Sequence, residues 1–371
     1  MEKLEMKKSL VALAAIAFVG AASAQTAPAS SVTLWGVVDL GVSHYTNGAG
    51  QSVTKMTSSG LSSDQLGFRG TEDLGGGMSA NFWLEGKVTP QDGNAGGLQF
   101  GRRSTLSLAG NFGELRLGRD YSPTFWNYTV FDPFGTLGAG SGSNITLANL
   151  NPGNGVTGTG DMVRAANGVS YGWGFAPNGQ FAVGSGVYFS ATYALGGTVS
   201  PTTPPAGSSD GNYLGGRLGY ANGPVNVAVS LAQEKNQAEG DFTYSNIGGS
   251  YNLGPASVSL LYAENKNGSA GGNLKFKTWE LGATIQAGPG YIPVSFADGK
   301  MNDAIGSHSQ QFAVGYVYNL SKRTALYATY SHINNKTGAL ATFAGGNGSS
   351  SGLADANGSG NGYDIGVKTS F

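Results

Sequence analysis

The 371-residue sequence contains no cysteine, so neither a disulfide nor a thiolate metal site is open to it. Charge is scarce. Asp, Glu, Lys and Arg make up 12% of the chain, against about 25% in an ordinary soluble domain, and the net charge is −1. Such a balance lacks the basic surface that nucleic-acid binding requires. The three histidines, His44, His308 and His332, are scattered without metal-ligand spacing, and no Walker loop or catalytic constellation stands out. The expectation is therefore a protein that is not an enzyme and uses no cofactor or metal. Long apolar runs are missing too. "TLWGVVDLGV" is broken by Gly and Asp, and no stretch could cross a bilayer as a helix.

Glycine is abundant: 63 residues, more than twice the usual share of about 7%. With 17 Tyr, 17 Phe and 5 Trp beside it, the chain has too many aromatics for a disordered polymer. Residues 1–24 read as a cleaved signal peptide. Lys7 and Lys8 precede the short apolar run "SLVALAAIAFVG" and the small-x-small site Ala22-Ser23-Ala24, which predicts export and a mature domain over 25–371.

The mature sequence alternates with a period of two, which a strand produces and a helix does not. Val32, Leu34, Val38, Leu40 and Val42 share one parity against Thr33, Trp35, Asp39 and Ser43. Phe82, Leu84 and Val88 oppose Asn81, Trp83, Glu85 and Lys87. The terminal "GYDIGVKTSF" sets Tyr363, Ile365, Val367 and Phe371 against Asp364, Lys368 and Ser370. Short turns such as "NFG" (111–113), "NGP" (222–224) and "NLSK" (319–322) alternate with longer polar loops near 47–60, 89–97, 121–161, 197–211, 235–241, 265–273, 300–308 and 335–361. The pattern predicts an all-β fold: a sixteen-stranded antiparallel transmembrane β-barrel with short periplasmic turns and long extracellular loops. Since hydrocarbon tolerates no open sheet edge, the last strand should pair with the first.

Five blocks carry a resemblance: "SSVTLWGVVDLGV", "LGFRGTEDLGGGMSANFWLEG", "RRSTLSLAGNFGELRLGRDYSP", "LSKRTALYATYSH" and "GYDIGVKTSF". Together they resemble the general, non-specific outer-membrane porins of Gram-negative bacteria, of the β-proteobacterial type. The resemblance implies a homotrimer in outer-membrane lipid and lipopolysaccharide that passes small hydrophilic solutes and ions by passive diffusion. It further implies that Phe371 acts as a signal to the outer-membrane barrel assembly machinery, and that the third long loop folds inward. That loop, 121–161, is the longest connection, and Phe125, Trp126, Tyr128, Phe131 and Phe134 equip its first half to pack on a wall.

Selectivity in a pore comes from charges lining its narrow part. Arg69, Arg103, Arg116 and Arg164 fall on the polar parity of their strands; Arg102 is one residue out of phase. Arg69 and Arg164 read as pore residues. Arg103 fits a pore role or a wall ion pair equally, and Arg116 reads as a wall partner of Glu114. The opposing acids are expected in the third loop, with Asp132 at its aromatic segment and Asp120 and Asp161 at its roots. Four inward arginines against few loop acids predict a weak to moderate anion preference. The alternative is a channel selective for one class of small anionic nutrients, although no aromatic ladder marks a binding track.

Overall fold

The computed structural model describes residues 30–371 except 94–96, 98, 148–161, 176–184, 197–210, 237–239, 269–273, 340, 344–352 and 354–356. The expected signal peptide and Asp161 lie outside the described residues. Seventeen strand segments form a single sheet: β1 (Ser31–Thr46), β2 (Ser52–Ser58), β3 (Gln65–Gly75), β4 (Met78–Lys87), β5 (Arg103–Gly110), β6 (Gly113–Tyr121), β7 (Arg164–Trp173), β8 (Gly186–Ala194), β9 (Tyr213–Asn222), β10 (Val225–Glu234), β11 (Phe242–Asn252), β12 (Ala256–Asn267), β13 (Leu274–Ala287), β14 (Gly290–Met301), β15 (His308–Asn319), β16 (Thr324–Lys336) and β17 (Ser359–Ser370). Every pairing is antiparallel, and β17 joins β1 from Val37↔Ser370 to Thr46↔Asn361, which closes the barrel.

The seventeen segments make sixteen staves. On its other edge β1 pairs with β2 over Leu40–Thr46 and with β3 over Ser31–Val37. Thus β2 and β3 are one stave interrupted at 59–64. The long loop expected over 47–60 is corrected accordingly: 47–51 is a tight connection, and 52–58 is wall. Asp39 causes the interruption by holding the chain inward. Its Oδ2 accepts the N–H groups of Leu61 (2.7 Å) and Ser62 (2.6 Å), and its Oδ1 accepts the Tyr327 hydroxyl (2.7 Å).

The solvent pattern is inverted relative to a soluble sandwich. Leu106 (60% exposed), Leu231 (62%) and Ile365 (68%) face outward, whereas Asp39, Ser43, Glu234 and Ser331 are fully covered. A wall with its apolar side chains outside and its polar ones inside is stable only in hydrocarbon around a wet or polar lumen.

The chain end locks the seam. Phe371 exchanges backbone hydrogen bonds with Gly36 (3.1 and 3.2 Å), and its ring lies across that glycine, where a Cβ would come within 2.5 Å. Gly36→Val is expected to displace the ring and weaken closure by about 1–3 kcal/mol, the usual cost of overpacking. In a gel-shift assay the folded form should then convert on heating at a lower temperature than wild type.

Between β6 and β7 the chain enters the barrel. Helix α1 (Pro123–Phe131) begins at Ser122, whose hydroxyl accepts Phe125 N–H, with proline in the first turn. It is buried on more than one side, which is why it lacks a simple apolar stripe. Phe131 lies over Gly248, where a Cβ would be 2.2 Å away. Asn127 donates to Asn246 Oδ1 (2.7 Å), and Asn265 Nδ2 donates to the Tyr128 hydroxyl (3.0 Å). These wall partners belong to β11 and β12 and point inward, opposite in parity to the exposed Ile247. A short helix, α2 (Ser143–Thr146), then packs against β13, β14 and β15. The segment between the helices reaches the seam, where Ala139 N–H donates to Asp364 Oδ2 (2.6 Å).

Candidate pore constriction

Antiparallel register places the expected arginines on adjoining staves. Arg69 lies opposite Trp83, Glu85 opposite Arg103, and Tyr121 opposite Arg164. The Trp83 indole takes two cations: the Arg103 guanidinium 4.4 Å from its centroid and the Arg69 guanidinium at 5.2 Å. Trp35 meets the same ring edge-on at 5.3 Å, in space left by Gly67. Tyr121 organises the other end. Its hydroxyl accepts from Arg164 (2.7 Å) and Arg102 (2.9 Å), and its ring stacks on Phe125 of α1 at 5.3 Å.

The five arginines differ in how they are compensated. Arg102 binds Glu85 at 2.6 Å. Arg116 bridges Glu114 at 2.9 Å and Asp120, and Arg103 Nε lies 3.4 Å from Asp120. These three arginines are buried. Arg69 and Arg164 are only partly buried and form no ion pair with any described carboxylate. The cluster therefore leaves two cations without an ion-pair partner among the described residues, and the Arg164 guanidinium lies 4.3 Å from the Tyr121 ring. Arg69 opens on a recess of about 350 Å³ that Arg103, Trp83, Asn81 and Glu114 also line.

Two placements differ from expectation. Asp120 is not an acid facing the arginines across the lumen; it shares their wall and neutralises Arg103 and Arg116. Asp132 is not directed at the pore either. Its carboxylate is turned into the loop, where it accepts the N–H groups of Phe134 (2.8 Å), Thr136 (2.9 Å) and Gly142 (3.0 Å) and meets the Glu280 carboxyl. Burial raises its proton affinity above the ordinary carboxylate range. Arg116 is the ion-paired wall residue its spacing from Glu114 suggested.

Arg217 and Glu280 are not singled out from sequence, and Arg102 enters there only weakly, one residue out of phase. Arg102 precedes β5, so strand parity did not describe it. Arg217 shares the polar parity of β9 and was available to the same argument. It donates to Asn127 Oδ1 at 2.7 Å and so ties α1 to the wall. Glu280 shows only as a polar-phase residue until the loop covers it.

Arg116→Ala would leave Glu114 and Asp120 facing each other without their common cation. Breaking such a covered network costs about 3 kcal/mol. The variant is expected to unfold at lower urea than wild type, as followed by tryptophan fluorescence in detergent, while Arg116→Lys recovers part of the loss.

A closed barrel with an inverted surface and a guanidinium-lined interior defines a pore-forming outer-membrane protein. The chain belongs to the Gram-negative porin family, whose model matches residues 10–338. It is 43% identical to outer membrane porin protein 32 of Delftia acidovorans, over 89% of this chain and 90% of that protein. It is 32% identical to an outer membrane porin protein of Bordetella pertussis, with 89% and 95% covered. Among solved structures it is similar to an anion-selective porin from Comamonas acidovorans, with TM-score 0.79, 37% identity, and coverage of 92% of this chain and 100% of that one. The protein is thus an outer-membrane porin, a channel for passive diffusion.

Proposed function

We propose that the channel prefers anions and that Arg69 and Arg164 set the preference. The observation that carries this reading is that neither guanidinium forms an ion pair with a described carboxylate, while the described third-loop acid, Asp132, is turned away into the loop. Charges in a narrow, partly desolvated passage act more strongly than the same charges on an open surface. The anion selectivity stated for the Comamonas acidovorans porin supports the same reading. Loop residues 122–147, seated inside the wall, supply the constriction. The working form is a homotrimer, and Phe371, at the closing seam, is the residue offered to the assembly machinery. Reversal potentials across a planar bilayer with a tenfold KCl gradient test the proposal. They are expected to show chloride crossing more readily than potassium, and a clear cation preference would reject it. Heating in detergent should convert an oligomeric band to a monomeric one.

A further inference from the structure

The outer wall carries a charge pattern that conduction does not use. At the long-loop ends of β12 to β16, residues of the lipid-facing parity line up in one cross-strand row. Glu264 lies opposite Lys277, Lys277 opposite Lys300, Lys300 opposite His308, and His308 opposite Lys336. Beside it, Lys266 lies opposite Lys275. Like charges directly opposed across a sheet destabilise it unless a counter-charge sits between them.

The described carboxylates on these staves do not balance the row. Glu264 binds Lys266 (3.0 Å) and Lys277 (3.6 Å), and Asp298 binds His308 (2.7 Å). Lys336 Nζ donates to Gln310 Oε1 at 3.3 Å. Lys300 is exposed and forms no ion pair with the described residues. The depth of the row is fixed by its neighbours. Trp279, two residues below Lys277, lies opposite Tyr262, and Leu281, Phe296 and Phe312 form the apolar row beneath. Two residues along a strand span about 7 Å, so the ammonium groups stand just above the aromatic girdle, at headgroup level.

We propose that this row is a docking surface for phosphorylated lipid headgroups of the outer leaflet, the lipopolysaccharide phosphates. Acyl chains lie on the Leu281–Phe296–Phe312 face, and the phosphates take the place between opposed lysines. The proposal rests on the outer-membrane placement but not on the ion preference, which a separate measurement reads.

The test uses full-length protein in detergent and native mass spectrometry with diphosphoryl lipid A, the same lipid stripped of phosphate, and inorganic phosphate as competitor. K277Q/K300Q/K336Q is compared with wild type and with K322Q/R323Q, which changes the opposite rim. At about fivefold per lysine, the triple variant is expected to bind diphosphoryl lipid A about a hundredfold more weakly. The rim variant should match wild type, and dephosphorylated lipid should not distinguish the three. Equal binding of diphosphoryl lipid A by wild type and the triple variant would overturn the proposal. So would displacement of the lipid by millimolar inorganic phosphate, which would make the row a site for the free ion. Lys300→Gln alone, with an expected fivefold loss, keeps the test available if the triple variant does not fold. Reversal potentials of the same samples are expected to be unchanged, because the row lies outside the lumen; a change matching that of a lumen variant would also overturn the placement.

Discussion

Replacing Arg69 and Arg164 together by glutamate is expected to abolish the anion preference and, at low salt, to turn it into a cation preference. Two unit charges about 5 Å apart in a water-like dielectric interact by about 0.8 kcal/mol, roughly a fourfold change in local ion occupancy per charge. The double substitution changes the charge by four. Arg69→Gln alone should lower the anion-to-cation permeability ratio about fourfold without inverting it. Screening supplies an internal control. The Debye length is about 10 Å at 0.1 M salt and about 3 Å at 1 M, so wild type and variant should converge as salt rises. Reversal potentials at both ionic strengths read this directly. If the double variant keeps the wild-type preference in dilute salt, the assignment of these two arginines as the selectivity charges is wrong.

The barrel was legible because lipid and lumen impose opposite demands on successive residues. Leu106 and Leu108 against Thr105 and Ser107 could be sorted by parity alone, and the sorting agrees with their exposure. β2 was not legible. "SVTKMTS" has one long apolar side chain, Met56, on its outward face, so it reads as loop until β1 pairs with it. The inward detour at 59–64 depends on Asp39, some twenty residues earlier in the chain, and such a nonlocal hydrogen bond leaves no periodic trace. At the constriction, parity located Arg69, Arg103 and Arg116, since lumen-facing wall residues obey the strand rule; it does not carry to Arg164, because the β6–β7 register shifts between Gly118 and Asp120. It could not show which of them were already neutralised. Glu85, Glu114 and Asp120 settle that through spatial pairing. Asp132 was misread for a definite reason. Its aromatic neighbours mark a segment packed away from water, and a carboxylate in such a segment serves its own backbone rather than the pore.

That role makes Asp132 the site of the second large effect. Asp132→Ala should loosen the inward loop and raise single-channel conductance, with frequent transitions between levels. The carboxylate is the common acceptor for three backbone N–H groups spread over Phe134 to Gly142. This is the segment that carries Ala139 to Asp364 and places Gly138 against the Gly60 carbonyl, where a Cβ would come within 2.4 Å. Alanine would leave the three donors without this acceptor, and an unsatisfied covered donor such as Gly142 N–H costs about 1–3 kcal/mol. The wall does not depend on them, so the heat-conversion temperature of the barrel should move little while the current trace changes. Asp132→Asn retains one acceptor oxygen and should fall between. Acidity acts on the same latch. Because burial raises the folded-state proton affinity of Asp132 above its unfolded value, protonation favours the seated loop. Its contribution is greatest below the ordinary carboxylate range and declines as pH rises toward the raised value. Wild-type traces should therefore be quieter on acidification, and the alanine variant, which keeps Glu280, should show a weaker dependence. A variant whose conductance and noise match wild type at every pH would show that the loop is held by the Arg217–Asn127 and Phe131–Gly248 contacts alone.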